Sequence, residues 1–319
     1  MAMTAVFLDY STMGDGLDLT PLTALLPDLQ IFDATNEGQV AERIRDAEFV
    51  FVNKIRLDDA LLEQAPKLRF IGLTATGTDN IDTESATRHG VAVANIRAYC
   101  TQSVTEHVFG VLLMLTHNLA RYSDAVRRGD WNRASDFCML DYPVRELSLM
   151  TMGIVGLGDL GTAVARTARH FGMQVLVSAR PGEELVPEGR VAFDDLLEQA
   201  DVISLHCPLN EHTNGLFGAS EFRKMKSSAI LINTARGALV DTAALADALR
   251  EGDIAAAAVD VLAKEPPADG DPLLDYPGDN LVVTPHIAWS TDRARQEAVA
   301  ELAANVAAFL AGEERNRVV

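Results

Sequence analysis

Short apolar runs alternate with polar, helix-spaced stretches from the start of the chain. AVFLDY, LQIFDA, EFVFVN, LRFIGLTATG and VAVAN read as buried strands, with LTPLTALL, EGQVAERIRD, DDALLEQAP and TESATRHG between them as helices or turns. Strands that are apolar throughout, alternating with helices, imply a parallel sheet covered on both faces. Residues 101–129, TQSVTEHVFGVLLMLTHNLARYSDAVRRG, then read as one long helix, too densely apolar for a one-sided surface helix. WNRASDFCMLDYPVRELSLM follows as an irregular, partly apolar arm. After Met150 the alternation restarts: MGIVGLG, MQVLVSA, ADVISLHCPL, AILINTARG, AAAAVDVL and NLVVTPHIA read as strands, and TDRARQEAVAELAANVAAFLAGE closes the pattern as a strong helix. The pattern predicts an α/β protein built from two doubly wound parallel-sheet domains of unequal size.

Composition narrows the setting. A length of 319 residues holds one large or two ordinary domains with a substantial core. No unbroken apolar run reaches the length of about 18 residues that a membrane span needs, and the N-terminus lacks the basic region and apolar run of a signal peptide. Cys100, Cys138 and Cys207 are odd in number and far apart. That argues against a disulfide framework or a zinc site, and it fits a reducing cytoplasm with no bound metal. The 27 basic and 46 acidic side chains leave a net charge of −19. Nucleic acid and anionic membranes are poor partners for such a chain. Its acidic surface suits solubility or a salt-rich cytoplasm.

Candidate chemistry begins at GLGDLG, where Gly156, Gly158 and Gly161 stand between a strand pattern and a helix pattern. In that context the spacing reads as a dinucleotide-binding turn. The first glycine permits the tight turn, the second lets backbone approach a pyrophosphate, and the third lets helix and strand pack closely. The helix N-terminus offers free N–H groups to the phosphates. NAD-binding units of this kind carry an acidic residue at the end of the second strand, about 20 residues further on. Here that strand ends in Ser178 and Ala179, and Arg180 follows. Without a carboxylate nothing repels a 2′-phosphate, an arginine pairs with one, and Ser178 adds a hydroxyl donor. The segment points to NADP as preferred coenzyme. NAD remains the alternative, with Arg180 stacked on adenine or facing solvent.

Three later segments, INTARGALVD, AVDVLAKEPP and VVTPHIAWS, each place a polar residue just past an apolar strand. Ligands of open parallel sheets lie beyond the carboxyl ends of the strands, so Arg236, Glu265 and His286 are expected to converge there. An arginine offers a two-pronged donor for a carboxylate and a carbonyl oxygen. A histidine exchanges a proton near neutral pH, and a carboxylate beside it favours the imidazolium.

The glycine loop, NTARG, the Asp-Val-x-x-x-Glu-Pro stretch and TPH resemble, in order and spacing, the D-isomer-specific 2-hydroxyacid dehydrogenases, and the resemblance covers nearly the whole chain. It implies that Arg236 binds the substrate carboxylate and carbonyl, that His286 is the acid/base, and that Glu265 is its partner. It further implies that Asp159, Leu160, Cys207, Pro208, Thr213, Thr234 and Ala235 line the coenzyme, and that Asp260 contacts the nicotinamide carboxamide. The loop TATGTDNID would bring backbone of Ala75, Thr76 and Gly77 to the substrate carboxylate, and Trp289 would close the pocket beside His286.

By the same resemblance, residues 1–100 form a flavodoxin-like substrate domain completed by the C-terminal helix 288–319. Residues 101–287 form a Rossmann NAD(P)-binding domain, with a dimerisation arm near 102–150 and hence a homodimer. VNK near position 53, ATGTDNID and HIAWS look most like the glycerate dehydrogenase (hydroxypyruvate reductase) branch, which acts on hydroxypyruvate or glyoxylate. Two alternatives stay open. One is a phosphoglycerate dehydrogenase-like enzyme, although no obvious extra basic cluster stands near TATGTDN to take a second anion. The other is a nucleotide-sensing binding protein similar to dehydrogenase-like corepressors.

Overall fold

The computed structural model describes residues 3–183 and 185–319. The chain divides into two compact units, Met1–Cys100 with Ser290–Val319, and Thr101–Trp289.

In the first unit, β1 (Ala5–Phe7), β2 (Leu29–Ile31), β3 (Phe49–Val52), β4 (Phe70–Leu73) and β5 (Ala92–Ala94) form a parallel sheet in the order β2-β1-β3-β4-β5. The chain leaves β1 for β2 on one side and returns to β3 on the other. The crevice beyond the carboxyl ends of β1 and β3 is therefore the switch point of this sheet, where such folds bind ligands. All strands but the edge strand β2 are fully buried. The helix Asp292–Leu310 covers one face of this sheet, with the Phe309 ring 5.8 Å from that of Phe49 and 4.9 Å from that of Phe70. Gly72 in β4 makes room for it: a Cβ there would lie 2.5 Å from Leu302 Cδ1.

The second unit holds β6 (Thr151–Val155), β7 (Gln174–Val177), β8 (Val202–Leu205), β9 (Ile230–Asn233), β10 (Ala256–Val259) and β11 (Leu281–Val283), all parallel, in the order β7-β6-β8-β9-β10-β11. Its switch point lies between β6 and β8. A single bridge between Ser178 and Val191 stands in place of a further strand beyond β7. Leu196, Leu197, Phe217, Phe222, Leu245 and Leu249 pack the helices onto the sheet.

The expected single helix over 101–129 is two helices, Thr101–Thr116 and Leu119–Arg127. The break is at Asn118, whose φ of 51° is left-handed and whose Nδ2 donates to the Pro143 carbonyl at 2.7 Å. A short amide side chain that bonds locally lowers the cost of that conformation. The arm that follows has only short turns and leaves Phe137 90% and Leu140 85% exposed. Among the described residues no helix is long and apolar enough to cross a membrane.

Candidate active site

The glycine turn has three separate steric reasons. Gly156 has φ +97°, and a Cβ on it would lie 2.5 Å from the Cys207 backbone nitrogen. A Cβ on Gly161 would lie 2.0 Å from the Gly156 carbonyl oxygen, so only glycine lets the helix Asp159–His170 start this close to β6. A Cβ on Gly158 meets nothing within 4 Å. That open backbone at a helix N-terminus is the place an approaching pyrophosphate requires. Asp159 is exposed and Leu160 half-buried in the first turn of that helix.

The loops after β8 and β9 border the same sheet end. Thr213 is nearly buried and organises the first of them: its hydroxyl donates to the Pro208 carbonyl at 2.7 Å and accepts the Asn210 N–H at 2.8 Å. Cys207 is half-buried, and burial raises its thiol pKa. His206 is half-buried and burial lowers its pKa to about 4; its Nε2 lies 2.9 Å from Ser204 Oγ. Among the described residues, His206 Nδ1 and Thr234 Oγ1 are buried without a hydrogen-bond partner. An orphaned hydroxyl in NTARG and a bare backbone at Gly158 fit a nicotinamide dinucleotide across this sheet end.

Beyond β7, Ser178 and Ala179 are buried and Arg180 is exposed. Ser178 does not present the expected donor. It is 2% exposed and its hydroxyl donates to the Ala179 carbonyl at 2.6 Å. Its own carbonyl accepts Arg190 Nη1 at 2.8 Å. The Arg190 guanidinium thus also stands at this strand end, and the exposed Arg180 that follows Ala179 donates its backbone N–H to Glu183 Oε2 at 3.1 Å.

Arg236, Glu265 and His286 follow the adjacent strands β9, β10 and β11, so their loops leave the sheet side by side. Asn233, fully buried at the end of β9, shapes the first loop: its Nδ2 donates to the Arg236 carbonyl (2.8 Å) and its Oδ1 accepts the Ala235 N–H (3.0 Å). Arg236 Nη1 donates to the Ala235 carbonyl at 2.8 Å. The next residue must be small, because a Cβ on Gly237 would lie 1.9 Å from the Leu262 carbonyl carbon. That contact brings the Arg236 loop against the segment that carries Glu265.

His286 Nδ1 lies 2.6 Å from Glu265 Oε2, and Glu265 Oε1 accepts the Leu262 N–H at 2.8 Å. Both side chains keep partial exposure, 26% and 32%, beside a cavity of about 450 Å³ lined also by Pro266, Leu274 and Val283. His286 has φ +57°, a left-handed conformation rare for a non-glycine residue. Asp260 explains it. Its carbonyl accepts the His286 N–H at 2.8 Å. Its Oδ1 accepts Thr284 Oγ1 (2.5 Å) and the Ile287 N–H (2.9 Å), and its Oδ2 accepts the Ala288 N–H (2.8 Å). At 1% side-chain exposure this carboxylate is committed to the turn. His107 backs the turn from the helix Thr101–Thr116, its Nε2 3.3 Å from Thr284 Oγ1. This support is not legible in the sequence, since nothing in the segment of His107 points to residue 284. Trp289 is half-buried three residues after His286.

In the first unit, the loop after β4 is tied through its carbonyls. Ala75 accepts the Ile96 N–H (3.2 Å) and Thr76 accepts Asn95 Nδ2 (2.7 Å). Ala75 and Gly77 are half-buried and Thr76 is exposed in this loop.

A phosphate-cradling turn and a histidine–carboxylate couple at the carboxyl end of one parallel sheet define a nucleotide-dependent oxidoreductase. The model of the D-isomer-specific 2-hydroxyacid dehydrogenase NAD-binding domain matches residues 109–288. A glycerate dehydrogenase of Methylorubrum extorquens is 42% identical over 100% of this chain and 99% of its own. A hydroxypyruvate reductase of Blautia hydrogenotrophica is 36% identical over 99% of each. A solved D-lactate dehydrogenase of Aquifex aeolicus, complexed with NAD and lactic acid, superposes with a TM-score of 0.81 at 30% identity, covering 97% of this chain and 96% of that one. The chain belongs to the D-isomer-specific 2-hydroxyacid dehydrogenase family, whose members oxidise or reduce small 2-hydroxy and 2-keto acids with a nicotinamide coenzyme.

Proposed function

We propose that this chain reduces hydroxypyruvate or glyoxylate to the D-hydroxy acid, with NADPH as preferred coenzyme, as a homodimer in the cytoplasm. The observation that carries the reading is the 2.6 Å contact between His286 and Glu265, at the end of a sheet whose glycine turn fits a dinucleotide. The unit that contains Met1–Cys100 is the substrate unit in this reading, and Thr101–Trp289 is the coenzyme unit.

A nicotinamide coenzyme held at the glycine turn would supply the hydride. His286 gives the proton that turns the carbonyl oxygen into a hydroxyl, and takes it back in the reverse direction. Glu265 fixes the ring through Nδ1 and favours the imidazolium that donates. Arg236 offers paired N–H groups to the carboxylate and carbonyl, and Ala75, Thr76 and Gly77 offer backbone donors for the carboxylate. Trp289 limits the size of what reaches His286.

Ala179 and Arg180 support NADPH, because the strand ends without a carboxylate and an exposed arginine follows it. Phe137 and Leu140, almost fully exposed on the arm, support a second copy as its cover. The relatives named glycerate dehydrogenase and hydroxypyruvate reductase support the substrate. A panel of 2-keto acids, including 3-phosphohydroxypyruvate, assayed with NADH and with NADPH tests the reading. Fastest turnover of hydroxypyruvate or glyoxylate with NADPH is expected. No turnover of any keto acid would leave a nucleotide-binding protein without this activity.

A further inference from the structure

Arg190 crosses the end of β7 and has no part in the roles assigned above. The residue after it pairs with the outer edge of that strand: the Val191 N–H donates to the Val177 carbonyl at 2.9 Å, and the Ala179 N–H donates to the Val191 carbonyl at 2.8 Å. The inner edge faces β6, where the Ser178 N–H donates to the Ile154 carbonyl at 2.9 Å. A strand residue presents its N–H and its carbonyl to the same edge. The Ser178 carbonyl therefore also faces β6, at the level where Val155 runs into the glycine turn. Arg190 Nη1 donates to that inner carbonyl at 2.8 Å. The side chain thus starts at the outer edge, passes over the strand end and brings its guanidinium to the side of the glycine turn. Its root is fixed as well, with the Arg190 N–H on the Pro187 carbonyl at 3.1 Å.

The fold gives that place a meaning. In a dinucleotide-binding sheet the end of the second strand lies against the adenosine ribose, and a carboxylate there accepts the ribose hydroxyls. Ala179 carries no such group and is 3% exposed. A guanidinium stands across this strand end instead. Half-buried and held at two points, it loses little conformational freedom when an anion arrives. A guanidinium takes a phosphate through paired N–H groups, and the bond to Ser178 fixes the plane of that fork.

We propose that Arg190 is a specificity-determining residue for the coenzyme: its guanidinium, braced on the Ser178 carbonyl, binds the 2′-phosphate of NADPH alongside Arg180. This rests on the coenzyme preference proposed above. Arg180 brings charge from the exposed side, and Arg190 brings a donor whose position the strand end sets.

The test titrates NADPH and NADH, which differ by the 2′-phosphate alone, into the wild-type chain, Arg190→Gln and Arg190→Lys without keto acid, and reads nicotinamide fluorescence at low and at molar salt. Arg190→Gln should weaken NADPH binding about tenfold or more, the effect of one hydrogen bond to a charged group. NADH binding should stay at the wild-type level, which also shows that the variant folds. Arg190→Lys keeps the charge without the fork and should recover part of the loss. The wild-type preference for NADPH should decline with sodium chloride, and decline less in Arg190→Gln. Equal weakening of both coenzymes in Arg190→Gln would overturn the proposal, because Arg190 would then only brace the strand end. A wild-type preference that survives Arg190→Gln intact would overturn it as well, and leave Arg180 as the reader of the phosphate. A wild-type chain that binds NADH as tightly as NADPH defeats the coenzyme preference itself, and this proposal with it.

Discussion

Asp260 holds His286 by its backbone: its carbonyl takes the His286 N–H at 2.8 Å while its carboxylate takes the next two N–H groups of the turn. A left-handed non-glycine residue costs on the order of 1–3 kcal/mol, and these bonds offset it. Replacing His286 with Gln should lower kcat for keto-acid reduction by roughly 10²–10⁴ with coenzyme affinity retained. Asp260→Asn turns one acceptor into a donor against backbone N–H groups, and should lower kcat by about tenfold or more through misplacement of the ring. Steady-state kinetics with coenzyme titration measures both. Wild-type kcat in either variant would sink the assignment.

Coenzyme choice is expected to follow Arg180. A charge-assisted hydrogen bond is worth roughly 1.5–3 kcal/mol, so kcat/KM should favour NADPH over NADH by at least several-fold at low salt. High salt should erode the preference, since an exposed arginine–phosphate pair is screened. Ala179→Asp with Arg180→Ala should reverse it. Equal or better efficiency with NADH in the unmodified chain would show that Arg180 does not read the phosphate.

The arm predicts an association state. Dilute-solution mass measurement should return twice the 34.4 kDa of one chain. Phe137→Asp with Leu140→Asp places charges on the two most exposed apolar groups of the arm and should return the monomer. A monomeric wild-type chain removes the claim.

His206 predicts acid sensitivity. Burial lowers its pKa to about 4 from a reference of 6.5. The unfolded chain therefore takes up this proton first as pH falls. Its stabilising contribution is full above about pH 6.5 and is lost progressively down to about pH 4, by on the order of 2–3 kcal/mol. The melting temperature should fall across that window, and less steeply in His206→Gln. Identical acid slopes in the two proteins would show that the ring is not held neutral.

Salt should stabilise the chain. With a net charge of −19, carboxylates repel one another across the surface. The screening length shrinks from about 10 Å at 0.1 M to about 3 Å at 1 M. The melting temperature is expected to rise with sodium chloride over this range. A flat or falling curve leaves solubility as the sole role of the acidic surface.

The parallel strands and the chemistry at their ends were legible because each is local: an apolar run, a glycine spacing, a polar residue just past a strand. GLGDLG carried its steric reasons openly, as the 2.0 Å approach to Gly156 shows at Gly161. The break at Asn118 was not legible, since LTHNLA keeps helical spacing and the left-handed residue is held by Pro143, 25 positions away. Ser178 read as a donor to a phosphate because its hydroxyl's bond to Ala179 is set by backbone geometry, not by residue type. Nothing in AVFLDY marks Asp9, and the resemblance gave Asp260 a coenzyme contact, not a hold on the His286 turn. What distinguishes them is which N–H groups reach them, and those come from segments 44 and 27 residues distant.

The helix Asp292–Leu310 lies on a sheet whose strands end at Ala94. During synthesis, at roughly 5–20 residues per second, the first sheet therefore emerges long before the helix that covers it. Thr101–Trp289 is continuous and complete before the ribosome reaches Asp292. The second unit can mature on the nascent chain before the first, whose Phe49 and Phe70 wait for Phe309. A stalled or clipped C-terminus thus leaves a finished nucleotide fold attached to an unfinished partner, a product that a chaperone or protease would recognise by its bare aromatic face.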